Sequence, residues 1–274
     1  MKSAFLLFLL AYWLDFVAGN AYIPASPSND TSAGQLNSTE TSQITMQWFS
    51  HGSYANHIMT GSRRQGSTGI SKGVFVHLFA DKFTPTTEGT NTPWIAFIPC
   101  DANSNSGPST EPDIFTLAQS KGAVSAVLYS LDSETCLLDP AFEVSHFTSP
   151  DGIDIFLSSS SSAAHLIQYQ FGQLDSPRLL EYDSALLNSS FDDVTKSIQE
   201  GYPISAGYLL TTLEAWNATE DAFPDPGAQG GGGNSNSTDT GGNGNQGSGA
   251  LSVRLDIMSH GLAFVFLGIV AAVN

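Results

Sequence analysis

Residues 94–130 read WIAFIPCDANSNSGPSTEPDIFTLAQSKGAVSAVLYS, and this stretch decides the fold class. Trp94–Ile98 and Ala123–Tyr129 are short, nearly unbroken apolar runs, the pattern of strands covered on both faces. Between them, Thr110-Glu111-Pro112 supplies a cap residue, an acid for the first turn and a proline near the first helical position. Ile114, Leu117 and Ala118 space out one apolar helix face, and Gly122 offers the left-handed stop. Strand, helix and strand with short joins predict a right-handed βαβ crossover, and so a locally parallel sheet.

Outward from this unit, strands are expected at Ile44–Phe49 and Val74–Phe79, the second alternating through Val74, Val76 and Leu78. A second strand–helix pattern follows at Ile153–Leu157 and Ser162–Phe171, with Ala163, Leu166, Ile167 and Gln170 as its stripe. The serine run Ser158–Ser162 at that junction reads as helix caps rather than a nucleophile. A helix near Asp192–Gln199 and a closing strand Tyr208–Trp216 complete the pattern. Apolar patterning runs from Ile44 to about Phe223 without an internal repeat, which suits one domain over residues 41–223. The expected class is mixed α+β on a mostly β core.

The flanks read differently. Lys2, the apolar run Ala4–Leu14 and the small residues Val17-Ala18-Gly19 predict a secretory signal peptide over residues 1–19. Residues 20–40 are polar and Pro/Ser-bearing, and read as a disordered, glycosylated arm. Residues 224–249 form a Gly/Asn/Ser-rich linker, with 10 Gly between Gly227 and Gly249. Gly247 and Ser248, a short spacer and the apolar tail within 250–274 match a glycosylphosphatidylinositol attachment signal. The competing reading of that tail is a partial transmembrane helix, and the sequence leaves both open. N-x-[ST] sequons at Asn29, Asn37, Asn188, Asn217 and Asn236 predict a glycosylated luminal or extracellular surface.

The chain carries 26 acidic against 9 basic residues, a formal net charge of −17. With so few cations no basic stripe can neutralise a phosphate backbone, so nucleic acid is excluded as a partner. A 41% apolar, 11% aromatic composition excludes full disorder. The segment from Asn20 to Gly247 holds 24 acidic and 7 basic residues, so the charge belongs to the mature product.

Cys100 closes one strand of the βαβ unit and Cys136 lies shortly after the other. Parallel neighbours end on one edge, so a Cys100–Cys136 disulfide is expected in an oxidising compartment, a reactive thiol being the alternative. The six histidines show no metal-ligand spacing, and no H-E-x-x-H, C-x-x-C, G-x-S-x-G or phosphate loop occurs, so neither metal, cofactor nor catalytic residue is assigned. Carboxylates recur near strand ends at Asp101, Asp132, Asp139, Asp151 and Asp154. Asp101 and Asp132 both follow the C-terminal ends of the βαβ strands, where α/β proteins place ligands. They read either as a ligand-edge acid pair or as solvated turn residues.

The segments Trp94–Asp101, Asp113–Ala118 and Lys121–Ser130, with Leu166–Phe171 and Tyr208–Leu210, resemble the protease-associated (PA) domain. The form they look most like is the luminal domain of fungal membrane proteins that continue into a transmembrane helix and a RING-type ubiquitin ligase module. The resemblance implies a β-sandwich-like or open-barrel core with flanking helices. It also implies a non-catalytic role, contacting peptides, cargo or partner domains in the secretory pathway. The sequence holds no Cys/His-rich RING segment, so the expectation divides. One branch is a stand-alone, membrane-attached PA glycoprotein binding a peptide or protein partner, with basic partners favoured by charge. The other is a truncated or alternatively spliced form of such a ligase, supplying only its substrate-recognition domain.

Overall fold

The computed structural model describes residues 21–30, 41–101, 112–149 and 152–219. Among them, strands run at β1 (Ala25–Ser28), β2 (Ser42–Trp48), β3 (Gly52–Ser62), β4 (Ile70–His77), β5 (Trp94–Pro99), β6 (Ala123–Tyr129), β7 (Thr135–Leu138), β8 (Asp154–Ser158) and β9 (Leu209–Glu214). Helices are α1 (Ile114–Ser120), α2 (Pro140–Thr148), α3 (Ser161–Phe171), α4 (Ser184–Ser189) and α5 (Phe191–Glu200).

The β5–α1–β6 unit forms as its sequence predicts. All six residues of β5 are buried, and β5 pairs parallel with β6, Phe97 opposite Val127. Parallel pairing extends to β4 on one side and β8 on the other. The apolar face of α1 buries Ile114, Phe115, Leu117 and Ala118. Its cap is Asp113 rather than Thr110: the Asp113 carboxylate accepts from Thr116 N at 2.8 Å, so the helix starts later than expected. Gly122 takes φ 96°, and a β-carbon there would lie 2.1 Å from the Thr90 carbonyl oxygen.

The core is a closed barrel in the order β2-β3-β8-β6-β5-β4-β9, in place of the expected sandwich or open barrel. Closure depends on β9, which pairs antiparallel with both β2 and β4. Alternation then sorts side chains into two layers. Ile44, Met46, Met59, Phe75, Ile95, Phe97, Val127, Phe156, Leu209 and Leu213 come from all seven barrel strands and form one cluster, which identifies it as the interior. Ala164, Ile167 and Phe171 of α3 join it. Leu166 points outward, 45% exposed, so the helix stripe is shifted from the expected one. Ser160 caps α3 by accepting from Ala163 N at 3.0 Å, as the serine run suggests.

The alternate residues Val74, Val76, Trp94, Ala96, Ile98, Ala126 and Leu128 face a second cluster outside the barrel, with α1, Leu187 of α4 and Val194 of α5. Ala21 and Ile23 also belong to this outer cluster, and β1 pairs antiparallel with β7. The stretch within 21–28 is therefore packed structure, not solvated arm. Its polar composition hides a strand that borrows its register from β7.

Candidate functional site

The C-terminal end of the βαβ strands is a structural clamp. Cys100 and Cys136 form the expected disulfide, with Cα atoms 6.2 Å apart, both buried. It ties β7 to the end of β5. Beside it Asp101 accepts from Ser130 Oγ at 2.5 Å and from Leu131 N at 2.8 Å, holding the turn that leaves β6. Asp132 is exposed, and the carboxylate of Asp101 is committed to that turn, so the two do not make an acid pair. The other strand-end carboxylates are occupied too. Asp139 caps α2, and buried Asp154 accepts from Arg64 N at 2.9 Å and Ser67 Oγ at 2.5 Å; Asp151 lies outside the described residues. Among the described residues no group of three or more His, Cys, Asp or Glu is placed to hold a metal ion.

A concavity lies beside β7, at the edge of the outer cluster. A groove of about 850 Å³ is lined by the N-terminal segment Tyr22–Ser26, by Asp113 and Thr116 of α1's start, by Leu137 and Leu138 of β7, and by α2. Ile23, Pro24, Leu138 and Phe142 give it an apolar wall. His146 sits in its floor, where Nε2 contacts Ile153 O at 2.9 Å and Ile153 N at 3.2 Å, so that nitrogen is engaged internally. The Tyr22 phenol is pushed above its ordinary pKa, first by burial and then by the carboxylates of Asp113 and Asp139. Both acids therefore act on the same spot of the groove. Three distant segments build this groove, and the one local signal for it is Asp139-Pro140, a cap followed by proline at the first helical position, which announces α2.

A second unforeseen feature is His77 at the end of β4. Its ring lies 4.3 Å from Phe171, 5.2 Å from Phe97 and 5.9 Å from Phe79, centroid to centroid. Nδ1 is buried without a hydrogen-bond partner. Burial pulls its pKa down to about 4, against the opposing influence of Glu181, so the ring is neutral at physiological pH. The neighbouring Tyr129 phenol is pushed up to about 12 by burial, with Asp101 adding to it. A neutral imidazole walled by phenylalanines is packing material.

Of the sequons, Asn29, Asn188 and Asn217 are exposed. Asn29 accepts from Glu134 N at 3.2 Å, and Asn188 accepts from Thr90 Oγ1 at 2.8 Å. Asn37, Asn236, Gly247, Ser248, the expected signal segment and the tail lie outside the described residues. Among the described residues no helix is long and apolar enough to cross a membrane. No protein-family model matches the chain, and no curated protein matches it.

Proposed function

We propose that this chain is a PA-domain-like glycoprotein of the secretory pathway or cell surface, attached to a membrane by its C-terminal tail. Its role in this reading is to bind a peptide or protein partner without chemistry. The observation that carries the reading is the open groove, about 850 Å³, lined in part by a strand that a disulfide fixes to the barrel. Clefts of this size with an apolar wall and a few polar groups are the usual form of a small-ligand site, and in this reading the groove takes a few residues of a partner. The disulfide fits an oxidising compartment, and the exposed sequons fit a luminal or extracellular face. A mature charge of −17 favours encounter with basic partners.

The test uses the full chain expressed in a secreting host. Surface labelling places it, and a membrane-impermeant cross-linker is then applied to intact cells. An adduct with a specific partner that disappears when residues 41–223 are deleted supports the reading. A surface-exposed chain that yields no adduct, or one whose adduct survives the deletion, overturns it. Phosphatidylinositol-specific phospholipase applied to the same cells separates a lipid anchor, which releases the chain, from a helix, which does not.

A further inference from the structure

A second cavity, about 440 Å³, lies where β4, β6 and β8 begin, and Arg64, Ser67, Thr68, Lys72, Val124 and Asp154 are among its lining. Asp154 is buried, and both of its carboxylate oxygens already accept internal bonds, from Arg64 N and Ser67 Oγ. Arg63 donates from Nη1 to the Thr68 carbonyl at 3.2 Å, so it stands at the same place. The segment from Asn20 to Gly247 has seven Lys and Arg, and three of them fall between residues 63 and 72, at this one cavity. A strongly acidic chain thus gathers its scarce cations in one spot, against a single engaged carboxylate, which makes the cavity a seat for negative charge.

The path of the chain says which negative charge. Thr219, the last described residue, donates its N–H to the same Thr68 carbonyl at 3.0 Å. The next six residues are Glu220-Asp221-Ala222-Phe223-Pro224-Asp225, three acids and one aromatic directly before the Gly-rich linker. Each residue adds at most about 3.6 Å of reach, so Glu220 and Asp221 start within about 7 Å of Thr219. Their side chains extend that reach to the cations. The cavity also offers apolar surface, since Ile70 lines it and Val124 is 37% exposed.

We infer that residues 220–225 seat in this cavity, with Glu220 and Asp221 set against Arg63, Arg64 and Lys72, and Phe223 laid on Ile70 and Val124. The occupant is the chain's own acidic segment, and it clasps the base of the linker to the barrel. An acidic segment of another protein reaches these cations only by displacing it. The inference goes beyond the partner-binding reading and does not depend on it, because the groove beside β7 shares no residue with this cavity.

Carbodiimide, which joins a carboxylate to an amine in direct contact, tests it on the full chain in detergent, read by peptide mass spectrometry. Lys72 should be joined to Glu220, Asp221 or Asp225, with a several-fold lower yield at about 0.5 M NaCl, because exposed ion pairs are screened. The independent measurement is hydrogen exchange after Glu220→Gln, Asp221→Asn and Asp225→Asn are made together; none of the three belongs to a barrel strand. The amides of Gly69, Ile70 and Thr219, which bond within this corner, should then exchange about tenfold faster, as the loss of two or three exposed pairs gives. Exchange in β5 and β6 should not change. Lys72 joined to Asp151 instead, or to no carboxylate of 220–225, overturns the inference. So does exchange at Gly69, Ile70 and Thr219 that the three substitutions leave unaltered.

Discussion

The burial of His77 sets a specific pH dependence of stability. An unfolded histidine titrates near 6.5, whereas the folded ring, held among Phe79, Phe97 and Phe171, titrates at about 4. The folded value is depressed, so the unfolded chain takes up the proton first. The contribution is therefore fully present above pH 6.5 and is lost as pH falls from 6.5 towards 4. A shift of this size corresponds to about 3 kcal/mol at its limit, a large fraction of a domain's net stability. Carboxylates titrate in the same range, so the measurement is a difference. Urea unfolding of the wild type and of His77→Phe is followed at steps between pH 7.5 and 4.5. Phenylalanine keeps the ring stack and removes the partnerless Nδ1, so the variant should be at least as stable at neutral pH. The gap between the two curves should widen steadily below pH 6.5, by about 1.4 kcal/mol per pH unit at most. Parallel curves would refute the reasoning, because they would mean that the ring is solvated when protonated.

Three further outcomes are expected. Replacing Cys100 and Cys136 together by Ala opens a loop of separation 36 and should cost about 3–4 kcal/mol in chemical denaturation, with partner cross-linking at the groove falling as β7 loosens. Gly122→Ala should destabilise by at least about 2 kcal/mol, read as a lowered melting temperature, because the residue sits at φ 96° and its new methyl would strike the Thr90 carbonyl. Asp101→Ala removes the acceptor for Ser130 Oγ and Leu131 N and should cost about 2 kcal/mol, with hydrogen exchange rising first at Leu131.

The parts of the fold that were legible in sequence are those whose burial is two-sided. Strands β5 and β6 are apolar on both faces because the barrel interior covers one and the helices the other, so they stand out as runs. Gly122 and Ser160 were legible because a left-handed turn and a helix cap each restrict the residue type locally. Strand β3 was not, because Ser53, Ala55, Asn56 and His57 are exposed and blur its alternation. Barrel closure was not either, since it is a pairing of β9 with β2 and β4 that no local window contains. The groove escaped for the same reason: Tyr22, Asp113 and Asp139 are neighbours only after folding, and each reads alone as an ordinary polar residue or cap. For Asp101 the sequence left ligand and turn both open, because strand-end carboxylates serve either, and it is the turn that Asp101 serves.

The position of β9 also fixes an order of events during synthesis. Ile44 lies opposite Leu213, so the barrel seam joins the first barrel strand to the last. A chain emerging from its N-terminus cannot close that seam until residue 214 has been made, and until then β2 and β4 each present an unpaired edge. The β5–α1–β6 unit and the Cys100–Cys136 bond involve only residues already available, so oxidation can precede closure. Nascent chains arrested upstream of β9 should thus carry the disulfide while remaining open to proteases.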